Sequence, residues 1–159
     1  MNKIEKLAKT IVNYSIKCKT GEKVLIQARD ADPKIVAALI KEVYDAGGLP
    51  FVKESSGVIF KEFLRNITPE AAEIQAQNEL EFMKQMDCFI SIKGELNKFE
   101  MSNIGEAELK AYNIAFDKVH KERVNNTKWV ILISPTPSFA QSAKMSTEQF
   151  EDFSYNVCT

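Results

Sequence analysis

Lys128 to Phe153 reads KWVILISPTPSFAQSAKMSTEQFEDF, and three kinds of local structure follow one another in it. Trp129 to Ile133 is an unbroken apolar run of strand length, the pattern of a strand buried on both faces. Pro135 and Pro137 then fix φ and set the direction in which the chain leaves that strand, a rigid turn able to shape a cleft or to aim the next helix. Ser146 and Gln149 have the spacing of a capping box, which opens a last helix through Phe150, Phe153 and Val157. Glu148, Glu151 and Asp152 fall in its first turns, where carboxylates oppose the helix dipole favourably.

Strand, turn, helix is the unit, and it recurs upstream. Val24-Leu25-Ile26, Leu49 to Lys53 and Cys88 to Ile92 are further short apolar strands. Pro50 predicts that the second of these pairs fully only later in its run. Between the strands lie segments of helical period. Ile4, Leu7, Ala8, Ile11 and Val12 mark an amphipathic helix over about residues 3–16, and Thr20-Gly21-Glu22 a turn. Asp32-Pro33 and Thr68-Pro69 each place a capping side chain before a proline at the first helical position. The first opens a helix with Ile35, Val36, Leu39, Ile40 and Val43 on one face, ended by Gly47-Gly48; the second opens a helix to about Lys84. Ile59, Phe60, Phe63, Leu64 and Ile67 mark one more helix, and Leu109, Tyr112, Phe116 and Val119 another near 106–123, after a loop over 94–104. Short apolar strands separated by helices predict an α/β fold, a three-layer α/β/α domain whose mostly parallel sheet has about four or five short strands. With 159 residues and no internal repeat or linker, the chain reads as a single domain.

Composition excludes several functions. Twenty-one basic residues against 22 acidic ones give a net charge of −1, and the cations are scattered, so neither nucleic acid nor a membrane surface is expected as a partner. No stretch approaches the ~20 apolar residues of a membrane span. Cys18, Cys88 and Cys158 are odd in number and far apart, which suits a reducing compartment, and the cytoplasm is the expected location. Cys88, inside an apolar run, is expected to be a small core residue.

Chemistry is sparse. The one histidine, His120, sits between Val119 and Lys121 on a charged helix and is expected at the surface. A lone histidine and no Cys-x-x-Cys pair argue against a His/Cys metal site, which needs three or four ligands; a carboxylate-only Mg or Ca site stays open, although no EF-hand loop appears. The first strand-to-helix turn, Gln27 to Asp32, has no glycine and two acids, which disfavours a dinucleotide or phosphate loop. Open parallel sheets place ligands beyond the carboxyl ends of their strands. That rule selects Arg29 and Asp30, Ser55 and Ser56, Glu95 and Asn97, and Thr136. Of these, Arg29, Glu95, Asn97 and Thr136 are the substrate-cleft candidates: the planar fork of Arg29 suits a carboxylate, and Glu95 with Asn97 suits an amine or amide. No catalytic residue and no metal ligand is assigned within the chain.

Three stretches resemble the amino-terminal domain of the aminopeptidase T family, which includes aminopeptidases S and II. They are Leu7 to Ile26, with Asn13-Tyr14-Ser15 and Thr20-Gly21-Glu22-Lys23; Asp87 to Asn97, with Ile90-Ser91-Ile92 leading to Glu95; and Trp129 to Phe153, with Pro135-Thr136-Pro137, Ala140-Gln141, Met145-Ser146 and Glu148 to Phe153. Lys144 stands where a glycine is expected before the Met-Ser pair, Leu96 separates Glu95 from Asn97, and residues 99–105 depart from the usual proline-containing loop. The resemblance implies a parent enzyme that removes amino-terminal residues from peptides. It would use two divalent metal ions (Zn, Co or Mg), which can polarise a carbonyl and supply hydroxide near neutral pH. It also implies a homodimer, and metal ligands on a larger carboxy-terminal domain that this chain does not contain. Residues 1–159 would then help enclose the cavity around the metals, with no metal of their own and no activity alone. The alternative is a stand-alone flavodoxin-like domain that binds a small ligand or dimerises without catalysis.

Overall fold

The computed structural model describes residues 1–158. Four strands, β1 (Lys23–Arg29), β2 (Leu49–Ser55), β3 (Cys88–Lys93) and β4 (Lys128–Ile133), form one all-parallel sheet in the order β2-β1-β3-β4. Around it lie α1 (Lys3–Thr10), α2 (Pro33–Asp45), α3 (Gly57–Arg65), α4 (Pro69–Met83), α5 (Glu106–Asn126), α6 (Pro137–Ser142) and α7 (Thr147–Cys158). The expected α/β class and its helix-covered parallel sheet are present.

Side chains alternate across a strand, and the central strands spend both faces on cores. Val24, Ile26 and Ala28 of β1, with Cys88, Ile90 and Ile92 of β3, pack under α1, α2 and Tyr155 of α7. Leu25 and Phe89 face the other way, against Ala72, Ala76 and Met83 of α4 and Ala115, Phe116 and Val119 of α5. An ion pair between Lys3 and Asp152 joins α1 to α7. Three of the caps read from sequence form: Asp32 accepts from the Lys34 N–H at 2.9 Å, Thr68 from Ala71 at 3.1 Å, and Ser146 and Gln149 exchange two bonds of 3.1 Å.

Four local expectations are corrected. The first helix is α-helical only to Thr10; Ile11–Ser15 is a π-helical turn, closed by the Ile16 N–H on the Ile11 carbonyl at 3.0 Å. The wider turn returns Ile16 to the buried side beside Ile11 and Val12, which a continued α-helix would not do. Pairing of β2 begins at Leu49 rather than after Pro50, because the Leu49 N–H reaches the Glu22 carbonyl at 2.8 Å. In a parallel ladder alternate residues serve one neighbour, so the missing donor of Pro50 falls on the open edge and costs no bond. The double-proline turn contains a helix, α6, whose first turn is capped by Thr136. Finally, β4 is an edge strand and not buried on both faces: Leu132 is 6% exposed, whereas Trp129, Ile131 and Ile133 are 44%, 53% and 39% exposed.

Two helices end in the same motif. After α2, the Gly47 and Gly48 N–H groups bond the Tyr44 and Val43 carbonyls, with Gly47 left-handed at φ +83°. After α6, Lys144 and Met145 bond the Gln141 and Ala140 carbonyls, with Lys144 left-handed at φ +59°. Both are Schellman caps, and only the first has the residue that suits the conformation.

Candidate functional site

The four cleft candidates separate into two places. Arg29 is on the α4/α5 face of β1, since it shares parity with Leu25 and Gln27. There it lines a cavity of about 610 Å³ bounded by β1, β2, α3, α4 and α5. Glu95 and Thr136 meet instead over the ends of β3 and β4. The Thr136 hydroxyl donates to the Glu95 carbonyl at 2.6 Å and accepts from the Phe139 N–H at 3.2 Å, and Ser138 donates to the Glu95 carboxylate at 2.9 Å. Asn97 is exposed and accepts from the Phe99 N–H at 3.0 Å, a local turn bond.

A seal explains the separation. At the topological switch between β1 and β3, the Gly94 N–H bonds the Arg29 carbonyl at 2.7 Å, so close that a Cβ on Gly94 would lie 2.0 Å from the Asp30 carbonyl oxygen. Asp30, left-handed at φ +52°, accepts from the Gly57 N–H at 3.0 Å, and the Asp32 N–H reaches the Ser134 hydroxyl at 3.0 Å. These bonds close the crevice where doubly wound sheets usually admit a ligand.

The cavity on the α4/α5 face has a worked interior. The Arg29 guanidinium lies 3.9 Å from the centre of the Phe60 ring, and its Nε donates to the Ser55 hydroxyl at 3.1 Å. Phe60 meets Tyr112 edge-on at 5.2 Å, and Tyr112 stacks on Phe116 at 4.2 Å. Arg123 donates from Nη2 to Gln27 at 3.1 Å, pairs with Glu79 at 3.6 Å and lies over Phe89 at 4.5 Å. Its Nε is buried without a hydrogen-bond partner among the described residues. Burial pushes the Arg123 guanidinium down from its ordinary value, with Glu79 and Tyr112 opposing. Burial pushes the Tyr112 phenol up, and Glu79 adds to this while Arg29 and Arg123 pull the other way. Lys53, on the same face of β2, lies over the Phe82 ring at 4.9 Å. Sequence reading selected Arg29 and Ser55 here but not Lys53, Glu79 or Arg123. The only signal for them was strand parity and helix period, and Tyr112 and Phe116 had been assigned simply to an apolar helix face.

Thiols and carboxylates gather at the opposite, amino-terminal end of the sheet. Glu22 accepts from Lys128 Nζ at 2.8 Å, from the Lys19 N–H at 3.0 Å and from the Cys88 thiol at 3.4 Å. Burial alone would raise the Glu22 carboxyl, but the bonds from Lys128, Lys19 and Cys88 hold it below its ordinary value. Burial, then the charge of Glu22, pushes the Cys88 thiol up to about 12. A protonated thiol and a carboxylate already taken by an ammonium are not a metal site. Among the described residues no group of three His, Cys, Asp or Glu side chains could hold a metal ion, and His120 is exposed on α5. The donor set does not fit a metal pair, and no catalytic step through one can be built from these residues. No helix of the described residues is long and apolar enough to cross a membrane.

The profile of the thermophilic metalloprotease (M29) family matches residues 1–159, and the chain belongs to that family. Among solved structures it is similar to wild-type AmpT from Thermus thermophilus, with a TM-score of 0.77 at 15% identity over 98% of this chain. The chain spans 42% of the length of that protein. No curated protein matches it.

Proposed function

We propose that residues 1–159 are the amino-terminal domain of a metal-dependent aminopeptidase acting on peptides. Its two divalent ions and their ligands would be supplied by polypeptide outside this segment. The observation that carries this reading is the match of a metalloprotease family along the whole chain, joined to coverage of 42% of AmpT. The ligand-poor donor set of the described residues agrees with a domain that shapes and encloses a site rather than performs the chemistry. The reading includes a homodimer in the cytoplasm. Three free thiols, none in a disulfide, agree with that compartment.

The test extends the coding sequence 3′ of the Thr159 codon and assays both products with leucine p-nitroanilide in cobalt or zinc. The longer product is expected to contain clustered Glu, His and Asp residues and to hydrolyse the anilide until chelator is added. Residues 1–159 are expected to be inactive. Metal-dependent turnover by residues 1–159, or an extended chain without such activity, would overturn the reading.

A further inference from the structure

The cavity between the sheet and helices α3–α5 holds more positive charge than its own residues neutralise. Charged residues at its wall are Arg29, Lys53 and Arg123, with Glu79 and the backbone of Glu54. Glu79 is committed to Arg123 and also accepts from Gln75 at 3.3 Å. Glu54 has the opposite parity to Lys53 and Ser55 on β2, so its side chain belongs to the other face. Arg29 and Lys53 are thus left without an ion pair among the described residues, two register positions apart on the same face of neighbouring strands: Gln27 stands opposite Lys53, and Arg29 opposite Ser55.

Arg29 is also held in place before any ligand arrives. Phe60 covers one face of the guanidinium and Ser55 ties Nε. The two Nη groups make no hydrogen bond among the described residues, which leaves a fixed fork of N–H donors pointing away from its anchors. A planar fork with parallel donors matches a carboxylate. Beside it stand Ile59, Phe60, Phe63 and Tyr112, an apolar wall that a bare inorganic anion would not use. The volume of about 610 Å³ lies in the range of small-molecule sites.

We propose that this cavity binds a small organic carboxylate bearing an aromatic or apolar body. The carboxylate sits on the Arg29 fork with Lys53 as second cation, and the body lies along Phe60 and Tyr112. Neither Glu95 nor Thr136 lines this site, and it does not depend on peptidase activity.

Calorimetric titration of the 159-residue chain tests it with four probes: N-acetyl-L-phenylalanine, its neutral amide, acetate and inorganic phosphate. N-acetyl-L-phenylalanine should bind saturably, and removing its charge should weaken binding by about tenfold or more, the worth of a charge-assisted bond. Acetate, which lacks the body, and phosphate should both bind more weakly. Arg29→Gln should weaken N-acetyl-L-phenylalanine by about tenfold or more, whereas Lys9→Gln, at an exposed lysine of α1 on the opposite face of the sheet, should leave it unchanged. Should Arg29→Gln fail to fold by circular dichroism, Lys53→Gln and the acid–amide comparison decide. Equal affinity for acid and amide, phosphate or acetate binding as tightly as the aromatic acid, or no saturable binding at tens of millimolar would each overturn the proposal.

Discussion

Replacing Gly94 with alanine should damage the fold more than any other single methyl addition at a glycine whose neighbour can yield. The new Cβ would lie 2.0 Å from the Asp30 carbonyl oxygen, 2.8 Å from the Asp30 carbonyl carbon and 3.4 Å from a Thr136 methyl. Non-bonded heavy atoms prefer about 3.5 Å, so the backbone of β3 and of Asp30 must separate by roughly 1.5 Å. Overpacking of this kind costs about 1–3 kcal/mol. Separation would also break the 2.7 Å bond from the Gly94 N–H to the Arg29 carbonyl. A lost backbone bond of this kind adds about 1 kcal/mol, for a total near 3 kcal/mol. For a chain of this size that is a fall in melting temperature of about 6–12 °C. Gly47→Ala is the comparison: it imposes a left-handed alanine, about 1–2 kcal/mol. Its closest new neighbour is the Thr20 hydroxyl oxygen at 2.9 Å, on a side chain that can rotate. Urea and thermal unfolding followed by far-UV circular dichroism measure both. A loss below about 1 kcal/mol for Gly94→Ala, or one no larger than that of Gly47→Ala, would refute the account of the seal as a backbone contact.

Lys144→Gly should stabilise the chain. The left-handed conformation costs a side chain about 1–2 kcal/mol, and glycine returns about 0.4–1 kcal/mol through its freer unfolded state, so urea titration should show a gain near 0.5 kcal/mol. Two of the three thiols should separate by reactivity at pH 8: exposed Cys158 reacts with a disulfide reagent in the folded chain, while buried Cys88 reacts only on unfolding. Because the folded Cys88 thiol is raised from 9.0 to about 12, its contribution to stability is complete below pH 9 and is lost as pH rises towards 12. Chemical denaturation between pH 8 and pH 11 should show that decline, and Cys88→Ala should reduce it.

The fold was legible because its signals are local. Asp32-Pro33, Thr68-Pro69 and Ser146 with Gln149 announce helix starts within four residues, and the apolar runs of β1 and β3 can only be buried strands. The misread parts depend on what packs against them. Whether Trp129 to Ile133 is central or edge is a property of its neighbours, and the π-helical turn at Ile11 answers the demand to bury Ile16. The strand-end rule reached Arg29 and also Glu95, Asn97 and Thr136, but strand parity and the Gly94 seal divide them. The residues that share the cavity with Arg29 come from segments around residues 53, 60, 79, 112 and 123, which no spacing in the chain links. The lysine at position 144, noted as a departure from the family's glycine, proved to occupy a left-handed cap, so the irregularity in sequence marked a real constraint on the backbone.

Trp129 is the chain's single tryptophan, and it stands 44% exposed on the open edge strand β4. The molecule thereby carries its own optical reporter at one defined position. Any polypeptide that comes to lie along that edge removes the indole from water and moves its emission to shorter wavelength. Because Trp129 does not line the Arg29 cavity, occupancy there can be followed separately from assembly in one cuvette.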